Sequence, residues 1–253
     1  MGRLLAAPMV LAGRIRRALR SAYDDAVLAK YTSLHSIHYG PGGRGYASAK
    51  DVRGAEAKQI YATLVSRVEY FVDTFPDLLD YQDGDSFVDI GCGMGQNIRM
   101  LSQRFPNSPI TGIDISADAV EIVQTAEPNP RVSTQVGDVL DPQMLNGLLA
   151  SRPDHIVVSH VFALLFAPTA EETRRLRFEL AEQLAGSCRK SLIILDQFGR
   201  RGQLEVSIEQ LNRAVIHDDV LEYFASISSV RAVLANSPRS QAVICQRLAA
   251  FEE

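Results

Sequence analysis

The chain has 253 residues, 46% of them hydrophobic and 22% charged, which excludes a disordered or fibrous chain and suits one large α/β domain or two small ones. Its 26 basic and 30 acidic side chains leave a net charge of −4. There is thus no global basic field for a polyphosphate, and nucleic acid is not expected as a partner.

Residues 1–20 are the compositional exception, holding Arg3, Arg14, Arg16, Arg17 and Arg20 and no acid. Leu11, Ile15 and Leu19 fall at helical spacing with the arginines off that stripe, as on a basic amphipathic helix. Three readings stand: a helix on its own domain, contact with a membrane surface or partner, and an organellar presequence. The glycine cluster at 38–46 follows, carrying Tyr39, Arg44 and Tyr46, and reads as a connector or as a lid over a ligand. Residues 1–46 are therefore expected as a helical extension and connector, and 47–253 as the main domain.

A helix capped by Ser48, with Asp51 in its first turn, is predicted to run to Pro76, because Ile60, Leu64, Val68 and Phe71 recur every three or four residues. Strand-length apolar runs at 87–90, 110–113, 132–136, 155–159 and 191–195 alternate with helical segments at 96–105, 116–127, 142–151 and 169–185. The last of these opens with the capping box Thr169-x-x-Glu172. Such alternation predicts a doubly wound parallel sheet with helices on both faces. A second box, Ser207-x-x-Gln210, predicts another helix, and runs at 230–235 and 241–248 around Asn236-Ser237-Pro238 predict an antiparallel terminal hairpin.

Cys92, Cys188 and Cys245 are odd in number, far apart and outside any CxxC pair, which argues against a disulfide framework or a structural zinc and fits the cytoplasm. The longest apolar stretch, 156–167, is broken by Ser159 and His160 and falls short of the roughly 18 to 20 residues that span a bilayer.

The chemistry concentrates in Val88-Asp89-Ile90-Gly91-Cys92-Gly93-Met94-Gly95, where the first strand of the alternation enters a long helix. The glycines permit a tight turn and close approach of a ligand. Asp114 follows at the end of the second strand, near the spacing at which a carboxylate accepts from both ribose hydroxyls. Gln96 stands where a dinucleotide loop places its third glycine, and Asp89 would repel a pyrophosphate but suits a ligand carrying an ammonium and a sulfonium.

The motifs VDIGCGMG, GIDIS at 112–116 and GDVLD at 137–141 resemble, in order, the cofactor motifs of the class I S-adenosylmethionine-dependent methyltransferases. That resemblance implies a mostly parallel, seven-stranded Rossmann-like sheet, with S-adenosyl-L-methionine as cofactor. It also implies that Asp89 and the backbone of Gly91 and Gly93 face the methionine part, with Cys92, Gly95 and Ser159 also among the cofactor-binding residues. Asp114 would bind the ribose and Ile115 lie on the adenine face, with Asp138 at the adenine amino group and Val139 beside the ring. For Asp138, turn chemistry is the competing reading. Ser159 and His160 would flank the reacting methyl. The Asn/Asp-Pro-Pro-aromatic tetrapeptide of the amino-group enzymes is absent, its place taken by Ser159-His160-Val161-Phe162.

His160 is the candidate base, titrating near neutrality at the ligand end of its strand, with a wall histidine as the alternative. His35 and His38 would matter only under a closing lid, His217 reads as a solvated helix end, and His155 as structural. Asp196 is the one hard ligand at the strand ends, too few for a metal, so no metal is expected. It reads as a turn residue or a pocket acid.

The expected function is methyl transfer to a small-molecule acceptor, at a hydroxyl or an amine. The alternatives are a protein acceptor docked by residues 1–20, a nicotinamide-dependent oxidoreductase, and a non-catalytic binding subunit. The second lacks a Tyr-x-x-x-Lys pair and the third is opposed by the intact Asp89, glycines and Asp114. A homodimer is left open.

Overall fold

Parity along the central strands decides the architecture. In the computed structural model, which describes residues 49–165, 167, 169–196, 230–236 and 241–247, β1 (Phe87–Ile90), β2 (Ile110–Asp114), β3 (Val132–Val136), β4 (His155–Ser159) and β5 (Ser191–Asp196) fall within a residue of the expected runs. They pair in parallel, while β6 (Val230–Asn236) and β7 (Gln241–Arg247) add an antiparallel pair at one edge, giving the order β3-β2-β1-β4-β5-β7-β6. The basic stretch and glycine cluster assigned to residues 1–46, the helix expected from Ser207, and His217 lie outside the described residues.

Because strand side chains alternate between faces, Ile156, Val158, Leu192 and Ile194 join one apolar cluster and Val157, Ile193 and Leu195 the other. The first is covered by α6 (Pro142–Leu149) and α7 (Ala170–Ser187), the second by α1 (Gly54–Thr63), α2 (Val68–Thr74), α3 (Pro76–Leu79), α4 (Gln96–Arg104) and α5 (Ala117–Ala126). Asp89 alternates with Val88 and Ile90, so its side chain falls on the α4 side of the sheet. Three helix starts follow from their caps. Ser116 accepts from Ala119 N, Asp141 accepts from Gln143 N and Met144 N ahead of Pro142, and Thr169 Oγ1 accepts from Glu172 N as the expected box requires, while the Glu172 carboxylate accepts from the Thr169 hydroxyl rather than from its backbone N–H.

One expected element is divided. The helix predicted from Ser48 to Pro76 begins at Gly54 and breaks after Thr63, with Leu64 extended and α2 starting at Val68. Asp51 lies before it in a turn with φ 60°. The break is stabilised from a distance. Arg99 Nη1 donates to the Leu64 carbonyl at 2.8 Å, and Ser66 Oγ donates to Asn97 Oδ1 at 2.7 Å while accepting from Val68 N at 3.1 Å. Both partners belong to α4, so tertiary bonds override an uninterrupted helical period.

At the sheet end away from the glycine loop, His155 is fully buried, with Nδ1 2.8 Å from Ser191 Oγ and Nε2 2.9 Å from Asp85 Oδ2. Lys190 Nζ meets the same carboxylate at 2.8 Å. His155 is thus structural, as expected. Burial opposes ionisation of Asp85, but the hydrogen bonds from Lys190 and His155 outweigh it and hold the carboxyl below its ordinary range. Asp85→Ala is expected to destabilise the protein by about 1–3 kcal/mol, the scale for leaving the buried His155 Nε2 without its hydrogen-bond partner. Urea unfolding of the variant checks this, and an unchanged midpoint would contradict it.

Candidate cofactor and acceptor site

The glycine loop folds back over the end of β2. Gly91 N and Cys92 N both donate to the Ile113 carbonyl, at 2.8 and 3.0 Å, and Gly95 caps α4 with φ 95°. A Cβ on Gly91 would clash with Val161 Cγ2, and one on Gly95 would lie 2.7 Å from the Tyr61 ring and 2.8 Å from Val123 Cγ2. These two glycines therefore admit protein atoms as well as bending the chain. Gly91→Ala would impose both the clash and a φ of +72°. It is expected to cost on the order of 1–3 kcal/mol and to weaken S-adenosylhomocysteine binding. Thermal unfolding and calorimetric titration check the two effects, and a variant indistinguishable from the parent in both would refute the loop's role.

Asp114 is nearly buried, its Oδ2 accepting from Gly93 N at 2.8 Å and its Oδ1 from Ser116 N at 2.9 Å. The carboxylate thereby ties the glycine loop to the start of α5. Asp89 is fully buried, beneath the loop rather than on an open wall. Its Oδ1 accepts from Asn97 Nδ2 at 3.0 Å, and its Oδ2 has no hydrogen-bond partner among the described residues. Burial first, then the nearby Asp114 charge, raise its carboxyl to about 7 against the opposing bond from Asn97. Two acids sharing one end of the sheet, one with an orphaned oxygen, suit a ligand carrying positive charge and disfavour a pyrophosphate.

The flanking candidates divide. Ile115 is 37% exposed and Leu140 40% exposed, leaving apolar surface on the loops after β2 and β3. Asp138 is exposed and its Oδ1 accepts from Leu140 N at 2.9 Å, an Asx turn. Val139 packs partly against the core. Cys92 points its thiol into the apolar cluster on the α4 side, 2% exposed, and so can offer a ligand backbone atoms only. Burial, reinforced by the charges of Asp89 and Asp114, pushes that thiol well above its usual range.

Ser159 and His160 stand where β4 ends. His160 adopts φ 60°, left-handed for a residue with a Cβ, and is held there by a 2.8 Å bond from its N to the Leu195 carbonyl. Its Nε2 lies 3.5 Å from Arg67 Nη1. A guanidinium can only donate, so Nε2 is the acceptor nitrogen. Burial, with the Arg67 charge adding to it, lowers the imidazole to about 4, leaving it neutral at physiological pH. Asp196 ends β5, and its side chain lies outside the described atoms.

Ser66, Arg67 and Asn97 join the candidate site through their contacts with Asp89 and His160, and sequence reasoning missed them. Asn97 carried a signal: it is a polar residue beside Ile98 and Leu101 on the buried stripe of α4. Arg67 carried none, because its place depends on the break between α1 and α2.

Residues 87–177 match the model of a family described as Methyltransferase domain. The sheet order and the acids around the glycine loop agree with that match. The chain is 28% identical over 129 residues to trans-aconitate 2-methyltransferase of Rhizobium meliloti, covering 49% of this chain and 44% of that protein. It is 30% identical over 116 residues to the protein of the same name from Deinococcus radiodurans, covering 44% and 39%. The chain thus spans less than half the length of these curated relatives. In fold it is similar to the plantazolicin methyltransferase BpumL in complex with a monoazolic desmethylPZN analog and SAH, with a TM-score of 0.58 and 17% identity over 91% of this chain and 98% of that one.

Proposed function

We propose that the chain transfers a methyl group from S-adenosylmethionine to an oxygen atom of a small-molecule acceptor bound at the ends of β4 and β5. When bound, the cofactor supplies an electrophilic methyl group on a sulfonium. In this reading Asp114 accepts from the ribose hydroxyls, the backbone of Gly91 and Gly93 makes room for the amino-acid part, and Asp89 balances positive charge from below. Ile115 and Leu140 offer apolar surface to the base, with Asp138 at its amino group and Val139 beside it.

The single observation that carries the acceptor reading is the neutral His160 imidazole 3.5 Å from Arg67 at the end of β4. A fixed cation there repels an ammonium and a protonated amine, and it favours an oxygen nucleophile. The names of the relatives, trans-aconitate 2-methyltransferase, support a small acidic molecule. Segment 1–46 is proposed as the cover of the acceptor.

Calorimetric titration with S-adenosylhomocysteine, then with NAD, is the direct test. Binding of the first and not the second is expected, followed by label transfer from methyl-tritiated S-adenosylmethionine to acids or phenols. Binding of NAD alone would overturn the reading.

A further inference from the structure

We infer that Asp89 carries a proton on Oδ2 in the unliganded protein and gives it up to solvent when S-adenosylmethionine binds, which makes this residue a determinant of the preference for the cofactor over its demethylated product. The inference rests on the reading of the glycine loop as the cofactor site.

The hydrogen-bond pattern fixes which oxygen holds the proton. Ser66 Oγ accepts from Val68 N at 3.1 Å, so its one hydrogen goes to Asn97 Oδ1 at 2.7 Å. The Asn97 amide is thereby held with its NH2 toward β1, where it donates to Asp89 Oδ1 at 3.0 Å. Ser66, Asn97 and Asp89 are 6%, 5% and 0% exposed, so bulk water supplies no further donor to this chain. Asp89 Oδ2 has no hydrogen-bond partner among the described residues. A full charge on such an oxygen is costly, and a proton removes it.

The surroundings act in the same direction. In register beside Asp89 are Gly112 on β2 and Val157 on β4, neither of them ionisable. The Asp114 charge at the end of β2 opposes a second charge at Asp89, and after burial and the bond from Asn97 it helps to set the carboxyl at about 7. The other titratable groups that feel Asp89 are the Cys92 thiol in the loop and the Tyr81 phenol ahead of β1. Burial first, then the charge of Asp89, pushes both upward, so neither is ionised near neutrality.

A ligand that brings positive charge to Oδ2 reverses the balance. The O–H bond of the acid breaks, its electron pair stays on the carboxylate, the proton leaves to solvent, and the ligand's charge takes the proton's place. Below the titration of the folded acid, each cofactor bound then expels one proton, so affinity rises with pH and levels off above about 7. S-adenosylhomocysteine keeps the ammonium and lacks the sulfonium charge. It holds the acid ionised less strongly, so its affinity climbs less steeply, and loss of the methyl group lets the proton return in the product complex.

Calorimetric titration of the full chain at pH 6, in buffers of different ionisation enthalpy, counts the protons released. An α-ammonium titrates near 8, so the ligand's own contributes little at this pH. S-adenosylmethionine should expel about 0.9 proton from the parent at pH 6, S-adenosylhomocysteine fewer, and Asp89→Asn none with either. From pH 5.5 to 7 the ratio of the two affinities should shift at least threefold toward the cofactor in the parent and stay flat in Asp89→Asn. Asn97→Leu removes the donor that favours the ionised acid and should move the rise to higher pH, which a merely structural asparagine would not do. The parent and the isosteric Asp89→Asn decide the matter even where Asn97→Leu does not fold. No release from the parent, release retained in Asp89→Asn, or a ratio independent of pH would each overturn the inference while leaving cofactor binding intact. Failure of the parent to bind either ligand would instead remove the underlying reading, and this one with it.

Discussion

Asp89→Asn is expected to raise the Tm of the unliganded protein at pH 8 while weakening S-adenosylmethionine binding by tenfold or more. The reasoning starts from burial. In the folded chain the Asp89 carboxyl titrates at about 7, driven up by desolvation and then by Asp114, whereas an unfolded aspartate titrates near 4. Between those values the folded state holds the proton and the unfolded state does not. The protonated acid therefore stabilises the fold at low pH, and that contribution is lost as pH rises through about 7. Asparagine keeps the acceptor for Asn97 and never ionises, so the gain at pH 8 should be on the order of 1–2 kcal/mol. The cost falls on the ligand. Without a negative charge beneath the loop, the sulfonium form should lose more affinity than S-adenosylhomocysteine, whose sulfur is neutral. Thermal scans from pH 5 to 8 with titrations of both ligands test the pair of effects. A variant less stable at pH 8 with undiminished cofactor affinity would show that Asp89 is a packing residue.

Asp114→Ala is expected to lower S-adenosylhomocysteine affinity by roughly 1.5–3 kcal/mol, the range for lost hydrogen bonds to a charged group. Two causes add. The ribose loses its acceptor, and Gly93 N and Ser116 N lose the carboxylate that orients the loop and the start of α5. Asp114→Asn separates them, because its single carbonyl oxygen can still take Gly93 N but cannot serve both amides. Its affinity should fall between parent and alanine. Calorimetry with S-adenosylhomocysteine decides, and an unchanged affinity in the alanine variant would remove Asp114 from the site.

What could be read from the sequence was what short-range pattern encodes. Apolar runs of strand length, the capping residue Thr169, and glycines followed by an acid at the end of the next strand all act within a few residues or one strand–helix unit. The structure places those elements within a residue or two. The break at 64–67 was illegible because Ile60, Leu64, Val68 and Phe71 keep helical spacing across it, and the bonds that open it come from Asn97 and Arg99, some thirty positions away. The direction in which Cys92 and Asp89 point was likewise hidden. Strand parity turns Asp89 under the loop, and the closeness of Gly112 leaves room for the Cys92 sulfur against the strand.

The left-handed backbone at His160 bears on any attempt to redesign the acceptor. An alanine there would lose the ring and keep the strained φ, so a drop in activity would merge two unrelated costs. Asparagine and glycine tolerate that region far better, and a substitution series based on them would report the imidazole alone. The same geometry narrows the side chains through which selection can explore new acceptors at this corner, because branched residues are excluded before any substrate is met.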